Sequence, residues 1–230
     1  MEHDVIVAGA GLAGAAAALK LGRAGRRVLI LEGRDRVGGR AYARAFAGPV
    51  EQAPDLEFGG GWITPWHNRL RALAAENGLT LRPRHPVTSR FWLRDGALHA
   101  TPVSEGERAT HERILARVAA DAILLKKGHA EDEKGRPLRG ISLANYLDRL
   151  GAPKATRDLF SAWWTVSGNG DHGKVVASEF LSSCAYGDGL AEGMIDCWAD
   201  TVTSGMGVLA KRMIETSGAT LELSSTVTDV

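Results

Sequence analysis

Three glycines and one acid carry the most specific chemistry in this sequence. Gly9, Gly11 and Gly14 stand in the stretch GAGLAG, and Glu32 closes the apolar run RRVLILE that follows. Glycines at G-x-G-x-x-G spacing with a downstream acid suit a dinucleotide. Gly9 permits a tight turn, Gly11 lets backbone approach a pyrophosphate, and Gly14 lets a helix pack closely on a strand. Ala10, Leu12 and Ala13 complete a loop that opens a helix, whose free N–H groups and dipole favour phosphate. Glu32 can accept hydrogen bonds from two ribose hydroxyls, and its charge disfavours a 2′-phosphate. The alternative is a tight turn with no ligand, and the fingerprint alone does not separate NAD from FAD.

Other reactive residue types form no recognisable set. The seven histidines have no H-x-x-x-H or other metal spacing, so no metal site is expected. Cys184 and Cys197 lie too far apart for a C-x-x-C and read as reduced thiols packed as small apolar groups. No nucleophile–base pair stands out, and the catalytic residues stay unassigned.

Behind Glu32 come Gly33 and Arg34, then RVGGRA with Arg36, Gly38, Gly39 and Arg40. Here the sequence resembles the flavin-containing amine oxidase family, which carries R-x-G-G-R after the ribose-binding acid. EFGGGW, with Gly59, Gly60, Gly61 and Trp62, is similar to the family stretch that runs under the flavin. SGMGVLAKRMIETSGATLELSSTVTDV resembles the segment returning to the cofactor domain, where Val227 is the counterpart of a valine packed on adenine. The sequence departs from the family pattern at Ala41-Tyr42-Ala43, where Thr or Ser is usual after the second Arg, at Glu57, where Asp is usual, and at SGMG, where GGM is commoner.

The resemblance implies bound FAD and oxidation of an amine to an imine by hydride transfer, with reoxidation by O2 to hydrogen peroxide. Trp62, Trp163 and Trp164 are the substrate-pocket candidates, the last two with a core-packing alternative. Asp188, Glu192 and Asp196 could select a cationic amine, or form a solvated helix face. An FAD-dependent desaturase or porphyrinogen-type oxidase stays open, as does a non-catalytic flavin-binding subunit. The family continues beyond the matched stretches. The pattern Leu221, Leu223, Val227, Val230 reads as strands cut off mid-pattern, so the expectation is an incomplete chain completed by a second polypeptide.

The elements that must position these residues follow from periodicity. DVIVAGAG reads as a strand buried on both faces, LAGAAAALKLGRAG as a helix, and RRVLILEGR as a second strand: a βαβ unit. Helices are predicted at NRLRALAAENGL, after a Ser104/Glu107 capping box, and at SLANYLDRL, KATRDLFSAWWTV and VVASEFLSS, with a hairpin at Asp95-Gly96. The predicted fold is α/β: a Rossmann-like FAD-binding domain of glutathione-reductase type over 1–82 and 204–230, with a mostly helical substrate domain inserted at 83–203.

The bulk composition sets limits. The 230 residues carry 28 basic and 27 acidic side chains, which argues against a nucleic-acid or anionic-membrane surface. The charged stretch AEDEKGRPLRG at 130–140 is the one local exception. No apolar run is long enough to span a bilayer, and the early strand leaves no room for a leader, so a cytoplasmic protein, possibly a homo-oligomer, is expected.

Overall fold

The structure is a computed structural model that describes residues 2–44, 56–168, 170–186 and 198–229. The chain divides into two compact units: residues 1–84 with 199–230, and residues 85–198.

In the first unit, strands β1 (Val5–Ala8), β2 (Val28–Leu31) and β9 (Thr220–Glu222) form a parallel sheet in the order β1-β2-β9. Helix α1 (Leu12–Arg23) joins β1 to β2, and α7 (Met206–Ser217) leads into β9. Their apolar faces, with Ala15, Ala18, Leu19, Leu209, Ala210 and Met213, meet the sheet residues Val28 and Ile30 in one core. Gly22 permits that approach, since a Cβ there would lie 2.1 Å from the Ser217 carbonyl oxygen. The short pair β3 (Ala43–Arg44) and β4 (Leu56–Glu57), helix α2 (Asn68–Glu76) and the pair β5 (Leu81–Pro83) with β8 (Asp200–Val202) complete the unit. Pairing of β8 with β5 assigns 199–203 to this unit rather than to the helical segment, because those strand hydrogen bonds outweigh chain order.

Two strand expectations need correction. β1 is not buried on both faces: Ile6 is 62% exposed, because among the described residues the helical core covers the other face of the sheet. The terminal segment forms one strand, ending at Glu222; Leu223 and Val227 are 39% and 37% exposed, and Val230 lies outside the described residues. Ser224, at φ 55°, turns the chain out of the strand, and its N–H bonds the Arg34 carbonyl instead.

The second unit holds the hairpin β6 (Trp92–Arg94) and β7 (Ala97–His99) with helices α3 (Arg108–Lys126), α4 (Leu143–Arg149), α5 (Lys154–Gly168) and α6 (Ala177–Tyr186). Asp95 and Gly96, both at positive φ, make the hairpin turn. The Ser104/Glu107 capping box is formed, and a single 3₁₀ turn precedes α3. Ile114, Val118, Tyr146, Phe160, Phe180 and Leu181 lie in its core, as does Cys184, whose thiol burial pushes up to about 12. Cys197, Asp188, Glu192 and Asp196 lie outside the described residues. No described helix is long and apolar enough to cross a membrane.

Candidate cofactor site

The glycine loop leaves β1 where Gly9, at φ 97°, takes a backbone conformation that side chains disfavour. Gly11 is the N-cap of α1, which begins with no side-chain cap and no acid in its first turn. Its N-terminal N–H groups and dipole therefore remain available to an anion. Gly14 has a different role: a Cβ would stand 2.0 Å from the Gly9 carbonyl oxygen, so its bareness is required by the protein's own turn-on-helix packing.

Glu32 sits just past β2 and is 5% exposed. One carboxylate oxygen accepts the Ala10 N–H at 2.8 Å and the other the Arg34 N–H at 2.9 Å. Burial pushes its pKa up, but the two N–H donors and the charges of Arg34 and Arg36 outweigh it and hold Glu32 below the usual carboxylate range. The acid thus stays ionised beside the glycine loop. A carboxylate has about four acceptor sites, so capacity remains for hydroxyl donors.

The R-x-G-G-R stretch closes on the same loop. Gly38 N–H donates to the Ala10 carbonyl at 2.9 Å, and a Cβ on Gly39 would lie 3.3 Å from Gly11 Cα. Arg36 organises the turn, donating to the carbonyls of Val37 and Gly39 and lying 4.2 Å over the Tyr42 ring. Arg40 is exposed. At the other edge, Ser225 N–H donates to the Glu32 carbonyl, and the Thr226 hydroxyl lies 3.1 Å from the Cβ position of Gly33. The glycine loop, residues 32–34, Gly38 with Gly39, and residues 224–226 therefore meet at the C-terminal ends of β1, β2 and β9, where open α/β sheets bind ligands.

The triple glycine divides its labour. A Cβ on Gly59 would fall 2.0 Å from the Arg40 carbonyl oxygen, and one on Gly61 would fall 2.4 Å from Glu57 Cγ. Of the three, Gly60 alone has no atom of the described residues within 4 Å of a Cβ position, while its N–H donates to the Arg40 carbonyl at 3.1 Å. Glu57 itself, notable in the sequence only as a replacement for Asp, accepts the Met206 N–H at 2.8 Å with one oxygen. It thereby caps α7 across 149 residues. Its other oxygen is buried without a partner among the described residues. No local pattern could have paired these two groups.

Trp62 is 43% exposed. Its position follows from its neighbours: Ile63 pairs with Asp200, and Arg71 donates to the Thr64 carbonyl while ion-pairing with Asp200. Trp163 and Trp164 belong to the core of the helical unit, 8% and 6% exposed, edge-on to Phe160 and Phe180 respectively.

The residues of the first unit fit FAD. An uncapped α1 N-terminus is open to the pyrophosphate, an ionised acid with spare acceptor capacity lies next to it, and Gly60 leaves space beside the chain. Among the described residues no cluster of His, Cys, Asp or Glu could hold a metal ion.

Comparison with known proteins supplies the lineage. The family model described as flavin containing amine oxidoreductase matches residues 12–230. Putrescine oxidase of Kocuria rosea is 37% identical over 156 residues, spanning 64% of this chain and 31% of that protein. (S)-6-hydroxynicotine oxidase of Paenarthrobacter nicotinovorans is 35% identical over 176 residues, 72% of this chain and 40% of that protein. A solved structure of wild-type putrescine oxidase bound to putrescine superposes with a TM-score of 0.78 at 25% identity, covering 97% of this chain and 51% of that one. The chain spans less than half the length of these two curated relatives.

Proposed function

Because the chain belongs to the flavin containing amine oxidoreductases, we propose that it forms the FAD-binding portion, and the first part of the substrate domain, of an enzyme that oxidises an amine to an imine. The observation that carries this is the buried, ionised Glu32, tied to Ala10 N–H beside an uncapped helix N-terminus. Gly9, Ala10, Gly11, Leu12, Ala13 and Gly14 would hold the pyrophosphate, and Glu32, with Gly33 and Arg34, the adenosine ribose. Val227 would lie against adenine. Gly38, Gly39 and Arg40, with Gly59, Gly60, Gly61 and Trp62, would line the flavin side.

When bound, FAD supplies the two-electron acceptor for the C–H bond next to nitrogen, and O2 as final acceptor would yield hydrogen peroxide. The chain's own residues bind and orient. Glu32 remains ionised because its N–H donors are fixed, and Arg36 holds the Gly38-Gly39 turn through main-chain carbonyls. Glu57 keeps the Gly59–Gly61 strip against the start of α7. A pocket with Trp62 in its wall would favour the neutral amine if it is desolvated by apolar neighbours, since desolvation penalises ammonium.

The relatives are longer than the part this chain matches, so the activity is proposed for a longer chain or an assembly that supplies the remaining half, and a cytoplasmic setting is proposed with it. The test uses protein purified from its native source with any co-purifying chain. It should bind FAD and release hydrogen peroxide with an amine such as putrescine. Native material that takes up no FAD would overturn the assignment. Retained FAD without peroxide from any amine would favour the desaturase-type or non-catalytic alternatives.

A further inference from the structure

The charged stretch 130–140 has no part in the cofactor site, and its structure gives it another role. Residues 131–137 form a tight loop closed by the Glu131–Pro137 bridge and by the Asp132 N–H to Arg136 carbonyl bond of 2.9 Å. Asp132 is turned inward as the organiser of that loop, accepting Lys134 N–H and Arg136 N–H and Nε. The basic side chains are left on the outside. With Arg113, Ala116, Arg117 and Ala120 on one face of α3, and Arg149 and Leu150 at the end of α4, they line a cleft of 460 Å³.

Five cations line this cleft, Arg113, Arg117, Lys134, Arg136 and Arg149, against a single lining acid, Glu133. Their charges are unequally compensated. Arg117 is paired with buried Asp121, and Arg136 with Asp132. Arg113 and Arg149 are fastened to neutral groups, the Leu150 carbonyl at 3.4 Å and the Pro137 carbonyl at 2.9 Å. Neither they nor Lys134 has an acidic partner within 4 Å among the described residues. Two guanidiniums held in place by carbonyls keep full charge and unused donors, so little side-chain entropy is lost when an anion docks. Ala116 and Ala120 keep the floor low between them. Glu133, 63% exposed and ion-paired to Arg117, occupies the rim as an internal competitor.

We propose that this cleft is a binding site for a small multivalent anion presenting two or more phosphoryl or carboxylate oxygens. Such a ligand would bridge Arg113 on α3 and Arg149 on α4 and draw in Lys134 from the loop, tying the three segments together. The site lies wholly within residues 113–150, so its test is independent of FAD.

Pyrophosphate and citrate are titrated separately into the purified full-length protein at neutral pH and low salt, with chloride at matched ionic strength as control. Calorimetry and thermal unfolding are the readouts. Saturable binding with a raised unfolding temperature is expected for at least one of the two, and the tighter identifies phosphoryl or carboxylate chemistry. The double variant R113A/R149A should weaken binding at least roughly tenfold, and R113K/R149K should fall between it and the wild type because charge is kept but the planar fork is lost. E133Q should tighten binding by about threefold, through loss of the competing carboxylate. No binding by either anion beyond the chloride control would overturn the site, and so would equal affinity in a folded R113A/R149A protein.

Discussion

Glu32 in the first unit and Asp132 in the second are both buried carboxylates that accept main-chain N–H groups, and both are held below the usual carboxylate range. In each, burial pushes the pKa up and hydrogen bonds with neighbouring arginines more than reverse it. They differ in what is left over. Asp132 accepts two N–H groups on one oxygen and the Arg136 Nε–H on the other, at 2.8 to 2.9 Å, with the Arg136 Nη2 in ion-pair contact at 2.8 Å. Glu32 accepts one close backbone N–H per oxygen, with the Arg34 guanidinium a looser 3.8 Å away. A carboxylate whose acceptor sites are filled locally can only hold structure, whereas one with sites unused can also hold a ligand. Asp121 belongs with Asp132: fully buried, it takes both Arg117 donors and the Tyr146 hydroxyl at 2.8 Å, a contact that together with burial pushes the Tyr146 pKa far up.

The contrast breaks most visibly at Asp121. Asp121→Ala leaves the Arg117 guanidinium, 13% exposed, and the Tyr146 hydroxyl without their buried partner. A loss of about 3 kcal/mol is expected in urea unfolding followed by the fluorescence of Trp163 and Trp164. A loss below about 1 kcal/mol would contradict a structural role for the helical unit's acids. Glu32→Gln and Asp132→Asn form the sharper pair. Asp132→Asn should cost about 2 kcal/mol of stability and leave FAD affinity unchanged. Glu32→Gln should cost nearer 1 kcal/mol in the cofactor-free protein while weakening FAD binding about thirtyfold, measured by flavin fluorescence titration. Equal effects of the two on FAD binding would erase the distinction.

Acid should weaken both units. A carboxylate whose folded pKa is depressed contributes stability above its unfolded value, 4.5 for Glu32 and 3.8 for Asp132. That contribution is lost as pH falls through those values toward the folded ones. The urea midpoint should therefore decline below about pH 5, with a shallower slope in Asp132→Asn. The smallest effect belongs to Gly60→Ala, where no atom of the described residues lies within 4 Å of the new Cβ. Cofactor-free stability should move by less than about 0.5 kcal/mol, while FAD affinity falls if the flavin approaches that stretch. A clear loss of stability without a change in affinity would return Gly60 to a packing role.

Much of the molecule was legible locally. The GAGLAG turn, the capping box at Ser104 and the Asp95-Gly96 hairpin depend on dihedral preferences and on partners within a few residues, and each formed where its residues stand. The roles within a motif were less legible. Spacing treats Gly59, Gly60 and Gly61 alike, although two are required by chain contacts and one faces open space. Alternating apolar residues after Leu221 suggested more strand than the single pairing with β2 supplies, since a strand persists only while a neighbour takes its hydrogen bonds.

The βαβ order and the position of the glycine loop with its acid follow from short-range geometry and hydrophobic period, and so were set by the residues alone. Long-range packing made Glu57 cap α7, paired residues 199–203 with β5, and brought Arg113 and Arg149 into one cleft. Those outcomes depend on which distant groups come within 3 to 4 Å once the cores have packed, and no pattern in neighbouring residues encodes such distances.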